Sequence, residues 1–344
     1  QQSIAWGASV YGLSYALTNQ AQYLDGMLRW GYDWMLKASN TPDTLWVQVS
    51  SSAMDTYWGG DQNIPSPRPA YQVNRTSPGT DAFAAAAAAF AAGSFLYSGG
   101  VLPANASSPG ISTNSTPLAS IKNATYATAL MQRAVSMWDL ATTSTPMQVY
   151  QTVVPQVNDA YPSTDYFDDL TLAGLWLAIA TGNKTYADTA TTFYGQMLTS
   201  PNTPNVGGKL GGPLNWDQKS PATALLFVQA AKYNPELGIN ASRFQGDMDA
   251  YLDSLTSLKL NDVFLTPATR NSSGLLWFPG NSDSASLNPA MNAAFLMHTF
   301  SGFADDAAMG AKYRRFGDSQ FDYLLGANPM NAVYVSDCGV KRTK

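Results

Sequence analysis

Apolar side chains recur at helical spacing along almost the whole of this 344-residue chain, and no comparable period-two run announces a sheet. Ile4, Val10, Leu13 and Leu17 form one such run, and Leu24, Leu28, Trp34 and Leu36 form the next, parted only by Thr18 to Gln20. Two amphipathic segments with so short a join predict an αα-hairpin. Similar segments cover about 80–97, 125–143, 166–181, 184–197, 221–232, 241–257, 289–303 and 309–326, which makes ten predicted helices. Asp81 and Asp165 stand where N-caps are favoured. Pro and Gly fill the intervening stretches and predict long loops over 40–79, 98–122, 144–165 and 198–220. Loops of that length in a compact domain are more often functional than idle. Paired helices with long alternate connections fit a helical solenoid or a closed α/α barrel, and the lack of a fixed repeat period disfavours a regular solenoid.

Composition narrows the partners. Charged residues make up only 12% of the chain and apolar ones 45%, which excludes a disordered segment and leaves little charge to keep the surface hydrated. A net charge of -5 argues against a nucleic-acid partner, because phosphate binding needs clustered Lys and Arg. The Ala-rich run Ala82 to Ala92 falls short of a membrane span. Asn74, Asn105, Asn114, Asn123, Asn183, Asn240 and Asn271 each open an Asn-x-Ser/Thr acceptor, mostly in loop-like surroundings, so N-linked glycans and a secreted, extracellular protein are expected. Pro117 after Thr116 weakens the acceptor at Asn114. Cys338 is alone, so no disulfide forms within the chain, and no Cys/His cluster offers a zinc site.

Several stretches concentrate chemistry. Asp55, Tyr57, Trp58 and Arg68 share an aromatic and Pro-rich segment whose rings suit the C–H faces of sugars, although such loops also serve as covers for a core. Tyr161 precedes Asp165, Asp168 and Asp169 near a helix start, where the carboxylates fit either a calcium site or plain helix capping. Trp216 beside Asp217 and Trp277 after Gly274 could each present an indole to sugar or anchor a core. The single histidine, His298, lies among Phe295, Leu296, Met297 and Phe300 and reads as a core residue.

Taken in order, these blocks resemble glycoside hydrolase family 9, the inverting cellulases. Trp58-Gly59-Gly60-Asp61 to Pro65-Ser66-Pro67-Arg68-Pro69-Ala70-Tyr71, followed by Pro78-Gly79-Thr80-Asp81, is similar to the family's Trp-Gly, Pro-Arg-Pro and Pro-Gly-Ser/Thr-Asp signatures. Tyr166 to Leu170, Trp216-Asp217-Gln218-Lys219, Gly274 to Trp277 and Phe321 to Pro329 resemble four further family blocks, and Tyr57 to Asp61 looks like fungal members. The resemblance implies an all-α (α/α)6 barrel over residues 1–344, a single domain incomplete at its N- and C-terminal ends. It implies a β-1,4-glucan (cellulose) endohydrolase whose cleft is lined by Asp55, Tyr57, Trp58, Arg68, Tyr161, Trp216 and Trp277. It also implies a structural calcium at Asp168, Asp169 and Asp217. The family's Asp-Ala-Gly-Asp motif and its C-terminal Glu have no counterpart in this sequence, so no residue is assigned as acid or base, and this chain is expected to be inactive as it stands. The alternative is a non-catalytic extracellular glycoprotein that binds glucan or self-associates through an open barrel edge.

Overall fold

A computed structural model describes residues 1–51, 54, 57–104, 118–204, 207–260, 262–268 and 274–335. The ten predicted helices are present within a few residues of their expected bounds: α1 (Gln2–Leu17), α2 (Ala21–Ala38), α3 (Thr80–Tyr97), α4 (Ala124–Thr143), α5 (Phe167–Thr181), α6 (Lys184–Thr199), α7 (Ser220–Tyr233), α8 (Ala241–Thr256), α10 (Leu287–Phe300) and α11 (Ala307–Leu324). The short α9 (Ser282–Ala285) was not expected, being too brief to show a period.

Two small hairpins depart from the sheet-free expectation. Strand β1 (Thr44–Val49) pairs antiparallel with β2 (Ala70–Asn74) inside the segment read as a loop, and β3 (Phe264–Leu265) pairs with β4 (Leu276–Trp277). A register shift between Trp46 and Gln48 breaks the alternation that would have revealed β1.

The helices fall into two kinds in regular succession. Helices α3 and α5 are buried almost all round, and α3 packs on α1, α4 and α5. Helices α2, α4 and α6 bury one stripe each, through Leu24, Leu28 and Tyr32; Ala127, Leu130, Ala134 and Met137; and Ala187, Ala190 and Tyr194. The same succession continues with α7 and α10 largely buried and α8 and α11 buried on one side. A helix apolar on every side belongs inside and an amphipathic one outside, so this alternation produces the inner and outer layers of an α/α architecture. Among the described residues α3 alone is long and apolar enough to cross a membrane, but 89% of it is buried, as suits a core helix.

The described residues form two compact units. One takes those of 1–103, 109–197 and 233–239, and the other those of 104–108, 198–232 and 240–344. In the first, small residues set the interhelical spacing. A methyl group at Gly93 of α3 would lie 2.5 Å from the Tyr32 ring of α2, and one at Gly174 of α5 would lie 3.0 Å from the Ala190 Cβ of α6.

Candidate functional site

In the first unit, the polar groups gather at the N-terminal ends of α3 and α5. Thr80 and Asp81 are buried, and they hold a neighbouring loop rather than face solvent. The Gln148 amide donates to Thr80 Oγ1 at 3.1 Å, the Thr80 amide donates to the Gln148 carbonyl at 2.8 Å, and the Tyr150 amide donates to Asp81 Oδ1 at 2.8 Å. Gly79 lets this loop close, since a methyl group there would lie 2.6 Å from Tyr150 Cβ and 2.9 Å from its Cα. The Pro-Gly-Thr-Asp block is therefore a clamp.

The clamped loop carries a sequence-predicted sugar contact. The Tyr150 hydroxyl donates to the Tyr161 carbonyl at 2.6 Å, and the Tyr161 side chain stays 54% exposed. Further along, the Gln151 amide group donates to the Ser163 carbonyl at 2.6 Å, and Asp165 Oδ1 accepts the Tyr166 amide at 2.7 Å. Burial and the charge of Asp165 both raise the Tyr166 phenol above its ordinary value, so it is a neutral hydrogen-bonding group. Trp58 is 99% exposed, Arg68 is exposed and Tyr57 is half-buried, with its hydroxyl donating to the Gly60 carbonyl at 3.2 Å. Asp55 lies outside the described residues.

Asp168 and Asp169 are buried in the first turn of α5, and Asp168 Oδ1 accepts the Asp169 amide at 2.9 Å. Carboxylates there offset the helix-end partial charge without a metal. Among the described residues no three His, Cys, Asp or Glu side chains gather into a group that could hold a metal ion. Asp217, the third residue expected at the calcium, stands in the second unit, where its Oδ2 accepts from the Gln218 amide group at 3.2 Å.

The second unit presents its own aromatic site at the start of α7. Asn215 Oδ1 accepts the amides of Asp217 at 2.9 Å and Gln218 at 2.6 Å, a tight turn that leaves Trp216 54% exposed. The Asn215 amide group reaches Asn281 Oδ1 at 2.7 Å, and Asn292 donates to the Leu214 carbonyl at 2.8 Å. Trp277 is only half exposed, and its ring sits 6.3 Å from that of Phe264 across the β3–β4 hairpin. Gln320 of α11 fixes this hairpin by accepting the Leu276 amide at 2.7 Å. At Gly274, where φ is +87, a methyl group would lie 2.3 Å from the Thr266 carbonyl oxygen.

Asn328 is fully buried and closes the turn after α11. It donates to the Tyr323 and Ala332 carbonyls, both at 2.7 Å, and accepts from the Met330 and Ala332 amides. The Gly-Ala-Asn-Pro block is thus structural. His298 was expected to be a core residue with its polar atoms satisfied, and it is so only in part: its side chain is 20% exposed, its ring packs beside Phe321, and its Nε2 lies 3.1 Å from Asp318 Oδ1 without hydrogen-bond alignment.

Four of the glycan acceptors are described. Asn74, Asn123 and Asn183 use Oδ1 to accept backbone amides of Thr76, Tyr126 and Thr185, and Asn240 is exposed at the start of α8. Asn105, Asn114, Asn271 and Cys338 lie outside the described residues.

Sequence reasoning missed Tyr150, Asn215 and Gln320, which position the aromatic loops. Tyr150 and Gln320 act on partners 69 and 44 residues away that no local pattern marks, whereas the Asn215 turn onto Asp217 and Gln218 is local and was legible as an Asx turn.

Residues 2–344 match the family model for glycosyl hydrolase family 9. The chain is 27% identical over 351 residues to Endoglucanase 24 of Oryza sativa subsp. japonica, covering 98% of this chain and 60% of that protein. It is 27% identical over 346 residues to Endoglucanase A of Bacillus pumilus, covering 99% of this chain and 46% of that protein. Endoglucanase CelQ from Clostridium thermocellum, solved with cellotriose, superposes with a TM-score of 0.73 at 23% identity, over 97% of this chain and 48% of that chain. The shared fold is of the (α/α)6 barrel class, and the chain spans three fifths or less of the length of these relatives. The chain belongs to glycosyl hydrolase family 9.

Proposed function

We propose that this chain is the scaffold and part of the glucan-binding surface of a secreted β-1,4-glucan endohydrolase. The observation that carries this reading is the outward presentation of Trp58, Tyr161 and Trp216, 99%, 54% and 54% exposed, in a chain of glycosyl hydrolase family 9 whose structural neighbour, endoglucanase CelQ, was solved with cellotriose. Exposed aromatic faces suit a neutral polymer, and the low charge of the chain suits it equally. Asp55, Tyr57, Arg68 and Trp277 complete the proposed lining. The preference for cellulose is tested by affinity electrophoresis in gels containing soluble cellulose, β-1,3-glucan or no polymer. Retardation only in the cellulose gel supports the reading, and equal mobility in all three refutes it.

Inverting hydrolysis needs a carboxylic acid and a second carboxylate roughly 6.5 to 9.5 Å apart. This sequence holds neither family acid motif, so the 344-residue chain by itself is proposed to release no reducing ends from soluble cellulose. Turnover abolished by changing one Asp within it would overturn that assignment. Calcium at Asp168 and Asp169 stays part of the proposal only if carbonyls or water supply the further oxygens.

Self-association belongs to the alternative reading, a non-catalytic extracellular glycoprotein, and α2 offers it a surface. Tyr23, Met27, Trp30 and Trp34 follow one another at spacings of four, three and four residues on α2 and are 66%, 50%, 85% and 55% exposed. That is the spacing of a helix-packing seam. Concentration-dependent sedimentation, lost in a Trp30→Ser, Trp34→Ser variant, is the expected outcome; a monomer at all concentrations removes this part.

A further inference from the structure

The first unit has an open groove of about 770 Å³ at the C-terminal end of α3. Ser94 and Ser98 from the C-terminal end of α3, Ala127, Met131 and Val135 from α4, and Thr181 from the end of α5 line it. Residues Thr80 and Ser94 are fourteen positions apart on α3, so the groove and the Thr80 clamp are separated by about 20 Å of helix. No aromatic ring lines the groove, unlike the proposed substrate surface.

Two glycan acceptors stand at its edge. Asn123 is flanked by Lys122 and Ala124, which both line the groove, and Asn183 comes two residues after Thr181. Both asparagines use Oδ1 for a local backbone bond, Asn123 accepting the Tyr126 amide at 2.9 Å and Asn183 the Thr185 amide at 3.0 Å. An N-linked sugar attaches through Nδ2 and leaves Oδ1 an acceptor, so capping and glycosylation are compatible at the same residue.

We infer that this groove seats the first N-acetylglucosamine residues of an N-linked glycan carried by Asn123, with the acceptor at Asn183 bounding its other side. The inference rests on the reading of this chain as a secreted glycoprotein. The chemistry of the lining fits. Met131, Val135 and Ala127 offer an apolar floor to the C–H face and acetamido methyl of the sugar. Lys122 and Gln132, both exposed, bring an ammonium and an amide to its hydroxyls. The Thr128 hydroxyl donates to the Ala124 carbonyl and so keeps its acceptor capacity for the sugar, whereas the Thr181 hydroxyl donates to the Leu177 carbonyl and already accepts the Asn183 amide at 3.2 Å, leaving it one further lone pair. A glycan here would hydrate this end of α3 and leave the loop of Tyr161, held at the other end, bare for substrate.

The test is to secrete the 344-residue chain from a glycosylating yeast, map glycopeptides, and compare wild type with Thr125→Ala. This variant abolishes the acceptor while keeping the Asn123 cap, and Thr125 is exposed. Both proteins are trimmed enzymatically to the first N-acetylglucosamine, and acetylation of Lys122 is timed against the exposed Lys37. At least a threefold faster reaction at Lys122 in Thr125→Ala, with Lys37 unchanged, is the expected result. Occupied Asn123 with equal Lys122 rates would sink the seated sugar while leaving the glycoprotein reading intact. An absence of glycan at every acceptor would sink both.

Discussion

Replacing Gly79 by alanine tests whether the clamp at the start of α3 positions the loop that carries Tyr161. The added methyl group would lie 2.6 Å from Tyr150 Cβ, 2.9 Å from Tyr150 Cα and 2.9 Å from Val73 Cγ1. Two of those atoms belong to Tyr150 itself, one of them backbone, so relief requires the loop to move. Overpacking of this kind costs about 1 to 3 kcal/mol. It also strains the Tyr150 amide bond to Asp81 and the Tyr150 hydroxyl bond to the Tyr161 carbonyl, each contributing about 0.5 to 3 kcal/mol depending on charge. We expect a loss of about 2 kcal/mol, read as a fall in melting temperature of about 3 °C for a chain of 344 residues. Gly26→Ala is the control, because nothing lies within 4 Å of the methyl group it would add in α2, and alanine is favoured over glycine in a helix by up to about 1 kcal/mol. Scanning calorimetry on both variants decides the matter. If Gly79→Ala melts no lower than Gly26→Ala, the loop is not clamped as argued.

Two further outcomes follow from the electrostatics. Burial lowers the His298 pKa below its ordinary 6.5, outweighing the pull of Asp318, while Arg314 lowers it further. The unfolded chain therefore takes up a proton near pH 6.5 that the folded chain refuses, so this contribution is present above that pH and is lost as pH falls through the lower folded value. The difference in urea stability between wild type and His298→Gln should shrink between pH 7.5 and 5, and a constant difference would contradict the assignment. For the α5 carboxylates, a melting temperature unchanged by chelator, with no calcium by elemental analysis, is expected if Asp168 and Asp169 act only through the helix end; a fall on chelation would establish a bound ion instead.

Helices were legible because burial imprints its own period. The run Leu24, Leu28 marks one buried stripe, and the unbroken apolar α3 marks a helix covered on all sides, so the two layers can be read from the sequence. Strand β1 was not legible, because its bulge at Trp46 to Gln48 disrupts alternation and Pro-rich sequence follows it. At the site, residue type exposed Trp58, Tyr161 and Trp216, yet type alone did not separate them from Trp277, which lies half-covered against Phe264. The difference is set by the β3–β4 pairing and by Gln320, which lies 44 residues from the amide it accepts. Asn328, within a block that carries the family resemblance, is a buried turn residue whose four hydrogen bonds are all local. Family motifs thus mix side chains that face solvent with groups that hold the backbone, and only the partners distinguish them.

The central claim is that the exposed indoles bind β-1,4-glucan. It is tested most directly by calorimetric titration of cellohexaose into the wild-type chain and into a Trp58→Ala, Trp216→Ala variant. Both side chains are exposed, so the variant should fold, as circular dichroism can verify. Stacking of a planar ring on an aromatic side chain contributes about 1 to 3 kcal/mol in the related case of nucleic-acid bases. Losing two such contacts predicts an affinity at least about tenfold weaker, since about 1.4 kcal/mol is a factor of ten. Equal affinity for the two folded proteins would contradict the account.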